Sequence, residues 1–227
     1  MRIGAPDIHA IVPIFRLPVE GRVVVTESGA DAEHNHHIDP LVPNQRHAYD
    51  LLGIDELGRV HVDDGDRVEE YVGWGMPIVA AAAGQVIGAS DGMRDLAIGE
   101  ELGAGEHPAG NRVAIRHDDG SVTWYAHLQQ GSVRGELLGT RVAAGAVLGL
   151  LGNSGNSTAP HLHVQRQVGA EGSLDQAARG AELAFTGTRL VGSYAFAPET
   201  GFTGWRPATE QPAEPRVGRR GDVLEPR

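Results

Sequence analysis

Gly149-Leu-Leu-Gly-Asn-Ser-Gly-Asn-Ser-Thr-Ala-Pro-His161-Leu-His163-Val-Gln165 is the stretch on which the reading of this chain turns. A Gly/Asn/Ser-rich turn leads into an extended apolar segment that carries two histidines one residue apart. Side chains alternate along a strand, so His161 and His163 share one face while Leu162 points to the other. Two imidazoles on one sheet face can share a metal or a reaction centre. Standing alone, the pair would read as two surface histidines. The rest of the chain changes that.

Strand patterns recur on both sides. Arg112-Val-Ala-Ile-Arg-His117, then Asp118-Asp-Gly120, then Ser121-Val-Thr-Trp-Tyr-Ala-His127 predicts a hairpin, because Asp-Gly between alternating apolar runs supplies the turn. Residues 77–88 predict two buried strands around Gly84, and residues 139–152 two more short ones. Strands are also expected over 10–15, 22–27 and 46–54. Between the last two lies a polar loop, Ser28 to Asn44, that carries His34, His36 and His37. One segment, Asp175 to Leu183, is a helix candidate. The expected fold class is therefore all-β, mainly antiparallel, with few short helices. No repeat or linker divides the chain, so one β-rich domain is expected over residues 1–206. The Pro-, Glu- and Arg-rich residues 207–227 are expected to form a surface tail.

Composition narrows the chemistry. The 32 glycines suit a turn-rich β protein, and the formal net charge of -11 argues against a nucleic-acid partner. No apolar stretch reaches the length of a membrane helix. Met1 to Glu20 lacks a basic start followed by a long apolar run, so no secretory signal is expected there. With no cysteine, any metal must sit on His, Asp or Glu, a donor set that suits Zn²⁺ as well as some harder ions.

Asp50, His127, His161 and His163 stand out as metal-site candidates, each in or beside a predicted strand. Asp50 sits among Ala48, Tyr49, Leu51 and Leu52, where an unpaired carboxylate would be costly. The competing explanation pairs it with Arg46 on the same strand face. His127 could equally be a hydrogen-bonded core histidine. His9, His61, His107 and His117, in turns or alternating patterns, are assigned to the surface. Asn153 and Ser154 are expected to shape the turn before His161.

Four segments in order, Pro77-Ile-Val-Ala-Ala-Ala-Ala-Gly-Gln-Val86, Gly110-Asn-Arg-Val-Ala-Ile-Arg-His117, Tyr125-Ala-His-Leu128 and Gly152-Asn-Ser-Gly155 with His161-Leu-His163, resemble the lysostaphin-type (LytM-domain) zinc endopeptidases. Those enzymes cut peptide cross-links in bacterial peptidoglycan, and the resemblance covers about residues 45–168. It implies antiparallel sheets forming a groove with zinc at its floor. By position, Asp50 and His163 would be zinc ligands. His127 and His161 would be the catalytic pair that orients or deprotonates the attacking water and stabilises the oxyanion. The implied activity is a zinc-dependent metalloendopeptidase, a hydrolase acting on peptidoglycan peptides or similar short peptides. Its place of action would be the cell wall, outside the cytoplasm. The oligomeric state is not set by the sequence.

The family's usual first motif, His-x-x-x-Asp, is not kept. Counting back from Asp50 gives Arg46, and His47 is one residue out of phase on a regular strand. Asn35-His36-His37 followed by Gln45-Arg46-His47-Ala48-Tyr49-Asp50 resembles relatives that carry an Asn-x-His loop before this strand. His37 is the first choice for the third ligand and His36 the second, while Arg46 could instead bind a substrate carboxylate or the oxyanion. The alternative function is a binding or regulatory module whose catalytic site has decayed at Arg46. Residues 139–149 also resemble the strand-turn-strand of biotinyl and lipoyl carrier domains, but the lysine those need at the hairpin tip is missing.

Overall fold

The computed structural model of the chain describes residues 14–29, 35–169, 178–197 and 201–227. Its strands are β1 (Phe15–Arg16), β2 (Val23–Glu27), β3 (Tyr49–Gly53), β4 (Pro77–Val79) and β5 (Gly84–Ser90), then the hairpin of β6 (Asn111–Arg116) and β7 (Val122–Leu128). β8 (Arg141–Val142), β9 (Val147–Leu150) and β10 (Leu162–Val168) follow. The chain continues through β11 (Arg179–Ala181), β12 (Phe185–Thr186), β13 (Thr188–Ala197), β14 (Gly201–Pro207) and β15 (Asp222–Pro226). Three single 3₁₀ turns, at Pro43–Gln45, Val68–Glu70 and Gly135–Leu137, are the only helical elements among the described residues. The protein is all-β. No helix among the described residues is long and apolar enough to cross a membrane.

One large sheet runs in the order β14-β13-β15-β2-β3-β10-β7-β6-β5-β8, with β11 added to the end of β10. All its pairings are antiparallel; β1 and β12 form a small parallel pair beside it. The β3, β10 and β7 strands place two chemistries on opposite faces. Tyr49, Leu51, Leu162, Val164 and Tyr125 point into the main core, together with Ile78 and Leu148 from the β4–β9 ladder. Asp50, His163, Gln165 and Gln167 alternate with them, so they share the other face. Because β10 is apolar on one face only, its register is strongly specified: a one-residue slip would bury the polar set in the core. Tyr125 fixes this packing further, its hydroxyl accepting the Ala81 N–H at 2.8 Å.

Several expectations are corrected. The strand expected from Arg46 begins at Tyr49, because the chain turns after the 3₁₀ segment: Ala48 N–H donates to Gln45 O, and His47 is left-handed at φ 74°. Of the helix candidate, residues 175–177 lie outside the described residues, and Arg179–Ala181 are strand, paired with Arg166–Val168. Gly180 allows that pairing to sit against the preceding turn, since a Cβ there would lie 1.8 Å from the Arg46 carbonyl oxygen. The segment expected as a surface tail is exposed around Pro212 but returns as β15 between β13 and β2, with Val223 and Leu224 buried. Val223 and Leu224 make the difference, because two adjacent apolar residues of an extended segment can serve both sheet faces. His117, expected on the surface, is buried; its Nδ1 meets Ala83 O at 2.9 Å and its Nε2 meets Thr123 Oγ1 at 2.7 Å. His9, His34 and residues 10–13 of the first expected strand lie outside the described residues.

Candidate metal centre and active site

Asp50 is the hub. In the β3–β10 ladder His163 stands directly opposite Asp50, which brings two residues 113 positions apart onto one face. His163 Nδ1 lies 3.0 Å from Asp50 Oδ1, and His37 Nε2 lies 2.9 Å from Asp50 Oδ2. His161, one residue before β10, brings its Nε2 to 3.7 Å from Oδ1. Burial alone would raise the Asp50 carboxyl. The imidazoles of His161, His163 and His37 gathered around it outweigh burial and hold the group well below the usual carboxylate range.

His127 reaches the same centre by a backbone break. On β7 it is Ala126 that pairs with His163, so a regular strand would send His127 to the opposite face. Instead His127 adopts φ 62°, a left-handed conformation that costs an L-residue about 1–2 kcal/mol. Its N–H leaves the ladder for Ala109 O, and its ring sits 4.7 Å from that of His161 and 5.9 Å from that of His163. Burial, then repulsion from His161 and His163, pushes its pKa well below the ordinary value, so the imidazole is neutral at neutral pH.

The ring partners define the tautomers, since a carbonyl oxygen can only accept. His127 Nδ1–H donates to Ser154 O at 2.8 Å, and His161 Nδ1–H donates to Ala159 O at 2.8 Å. Both therefore carry a bare Nε2. His163 is the reverse. Its Nε2–H donates to Gln165 Oε1 at 3.0 Å, because the Gln165 amide nitrogen is committed to Asn44 O at 3.2 Å and Gln167 Oε1 at 3.2 Å. That leaves the Nδ1 lone pair of His163 facing a carboxylate oxygen at 3.0 Å. Two acceptors face each other comfortably only with a proton or a cation to share. This donor set, two imidazole nitrogens and a carboxylate, with the Gln165 amide oxygen holding the far nitrogen of His163, fits a divalent metal such as zinc.

The loop supplies the remaining imidazoles. Asn35 is fully buried and pins the loop, donating to Gly29 O at 2.8 Å and accepting the His37 N–H at 3.0 Å. His37 is largely covered where it packs against Asp50, and that burial pushes its pKa down despite the carboxylate. Ligand atoms of His36, His37 and Asp50 all lie within 4.8 Å of one another. His36, however, leaves 64% of its side chain exposed and turns its Nδ1 toward Glu27 at 3.4 Å. Arg46 lies in the turn before β3, off the strand face that carries Asp50.

The turn named by the sequence shapes the centre from below. Asn153 and Ser154 are fully buried; Ser154 Oγ donates to Leu128 O, and Asn153 Nδ2 donates to Leu96 O. Gly155 at φ 78° has no room for a side chain, since a Cβ would meet Pro108 O at 2.4 Å. Of the residues predicted for the site, Asp50, His163, His37, His127 and His161 converge, with His36 at the margin. Gln165 and Glu27 were missed. Gln165 was legible in principle, two residues after His163 on the same face; Glu27 required the β2–β3 pairing.

Residues 64–175 match the family described as Peptidase family M23. Lysostaphin from Staphylococcus staphylolyticus is 32% identical over 118 residues, 52% of this chain and 20% of that protein. Peptidoglycan DD-endopeptidase ShyC from Vibrio cholerae is 45% identical over 56 residues, 25% of this chain and 12% of that protein. The chain thus spans a fifth or less of the length of these relatives. The solved catalytic domain of lysostaphin from Staphylococcus simulans is 28% identical, with 57% of this chain and 80% of that chain covered at a TM-score of 0.35. The matched residues include His127, His161 and His163, and the chain carries a domain of peptidase family M23.

Proposed function

We propose that this protein is a zinc-dependent endopeptidase that hydrolyses peptide bonds in peptidoglycan cross-links or similar short peptides. The observation that carries this reading is the convergence of His163 Nδ1 and His37 Nε2 on the two oxygens of a buried Asp50, beside two imidazoles with bare Nε2 atoms. Asp50, His163 and His37 would hold the metal. When bound, zinc supplies Lewis acidity, acidifying water and polarising a scissile carbonyl. His127 and His161 do the proton work at Nε2. A neutral imidazole accepts the proton of the attacking water and returns it to the amine that leaves. Their Nδ1–H bonds to main-chain carbonyls hold both rings in that tautomer.

The substrate class is carried over from relatives whose names state it, ShyC as a peptidoglycan DD-endopeptidase. Such a substrate lies outside the cytoplasmic membrane, which makes the cell wall the proposed place of action. We also propose that the described residues form one folding unit that includes β15, a reading supported by the continuous sheet from β14 to β8. The decayed-module reading rested on Arg46 in the place of a strand ligand. It loses its support once β3 begins at Tyr49 and His37 occupies the Asp50 oxygen.

Zinc titration of the purified protein tests the proposal. One zinc per chain is expected, lost in Asp50→Ala and in His163→Ala. His127→Ala and His161→Ala should keep the metal and lose turnover on cross-linked wall peptides. Absence of zinc at micromolar excess, or full activity in His161→Ala, would overturn it.

A further inference from the structure

Behind the centre, a second chain of contacts leads away from the His37 loop to the C-terminal part of the protein. Glu27 pairs with Asp50 across the β2–β3 ladder, after a register shift between Val25 and Glu27. Its Oε2 accepts the His36 N–H at 3.0 Å, and its Oε1 faces His36 Nδ1. The His36 ring lies 3.9 Å from that of His37. The carboxylate is buried and is itself gripped by Arg220, whose Nη2 donates to Glu27 Oε1 and whose Nε donates to Thr26 O at 2.7 Å. Thr26 in turn donates through Oγ1 to the Asp50 carbonyl.

Arg220 is not on a loose tail. It sits in a turn closed by Asp222 N–H donating to Arg219 O, with Asp222 Oδ2 accepting from Arg219 N–H at 2.9 Å and from Arg216 at 2.6 Å. The next residue, Gly221 at φ 89°, packs where a Cβ would strike Tyr194 O at 2.1 Å, and its N–H donates to Val25 O. The turn is thus fixed to β2 and β13, and it holds the guanidinium where Glu27 needs it.

We propose that Arg220 is a positioning residue for the centre: through Glu27 it locks the 35–37 loop so that His37 faces Asp50. The inference rests on the reading of Asp50, His37 and His163 as metal ligands. The physical reason is that Glu27 alone would be a buried carboxylate without a counter-charge, beside the equally buried Asp50. Without Arg220 the two carboxylates repel, Glu27 swings away, and the His36 N–H loses its acceptor. His37 then samples orientations in which Nε2 no longer meets Asp50. Outer groups that orient a ligand typically change metal affinity by about 10–100-fold.

The test is zinc affinity by chelator competition, together with the melting temperature of the metal-free protein, on the full chain. Arg220→Gln and Glu27→Gln should each weaken zinc binding by about 10–100-fold. Arg220→Gln, which strands a buried carboxylate, should also lower the melting temperature of the metal-free form, whereas Glu27→Gln, which removes that carboxylate, should lower it less. Arg220→Lys should recover part of the loss, since an ammonium can neutralise Glu27 but cannot also keep the Thr26 carbonyl in the same fork. Wild-type zinc affinity in both Arg220→Gln and Glu27→Gln would overturn the inference. So would a loss of affinity that merely tracks a lowered melting temperature in both variants. His163→Ala separates the two levels of the argument. If that variant binds zinc as the wild type does, the ligand assignment itself has failed; if it does not and the Arg220 variants are unchanged, only the positioning role has failed.

Discussion

Replacing Gln165 by leucine tests how the centre prepares His163 as a ligand. Gln165 is 4% exposed and His163 6% exposed, so water cannot substitute for the lost acceptor. Leucine keeps roughly the volume and removes both halves of the amide. The His163 Nε2–H loses its acceptor at 3.0 Å, while Asn44 O and Gln167 Oε1 lose donors at 3.2 Å. The imidazole has a cheaper alternative than leaving Nε2–H unpaired. It can move the proton to Nδ1, where Asp50 Oδ1 waits 3.0 Å away. That satisfies the ring but occupies the nitrogen that would bind metal, so metal binding must first reverse the tautomer. A penalty of about 1–3 kcal/mol for the unpaired group corresponds to roughly 5–150-fold in zinc affinity. Metal-free stability should fall less than three lost hydrogen bonds would suggest, because the new Nδ1–H bond to a carboxylate is charge-assisted. Chelator competition gives the affinity, and nitrogen-15 imidazole spectra give the tautomer: Nε2–H in the wild type, Nδ1–H in Gln165→Leu. Gln165→Glu keeps an acceptor and should restore most of the affinity. Unchanged zinc affinity and an unchanged tautomer in Gln165→Leu would rule out this role for Gln165.

The loop histidines should separate. His37→Ala is expected to weaken zinc at least 100-fold and His36→Ala by less than about 10-fold, because of the two only His37 meets an Asp50 oxygen, at 2.9 Å; equal losses in titration would contradict this. At position 127 the left-handed backbone makes glycine the better replacement: His127→Gly should be about 1 kcal/mol more stable than His127→Ala in urea unfolding. Neither variant should turn over substrate, and a more stable alanine variant would argue against the strain. His117 should give the fold an acid-sensitive component, since burial pushes its pKa below the ordinary 6.5. The unfolded chain then binds the proton first. The contribution is full above pH 6.5, is lost as pH falls through 6.5, and stops changing below the folded pKa. Urea unfolding of His117→Gln between pH 5 and 7 should show a shallower fall than the wild type; identical slopes would remove His117 as a cause.

The β character of the chain was visible locally. Alternation in residues 112–127 and the Asp118-Asp-Gly turn set the β6–β7 hairpin, because backbone sterics send neighbouring side chains to opposite faces whatever the rest of the fold does. The same period put His161 and His163 on one face. Where alternation misled, either a turn or a long-range pairing had overridden it. Arg46 continued the alternation of β3 in sequence, yet the 3₁₀ segment and the left-handed His47 turn the chain before Tyr49. The residues after Pro207 look like a tail by composition, and only the slot between β13 and β2 makes Val223 and Leu224 a buried strand.

By itself the sequence determined which residue types were present for the chemistry and their spacing within a segment. It specified two histidines two apart, an aspartate in an apolar run, and no thiolate to compete. Tertiary structure alone decided that His163 lies opposite Asp50, that His37 of a distant loop meets the other carboxylate oxygen, and that His127 turns inward at φ 62°. The physical reason is that these contacts span from 13 to 113 residues. Their register is set by how the apolar faces of β3, β7 and β10 pack, and no local rule of alternation contains it.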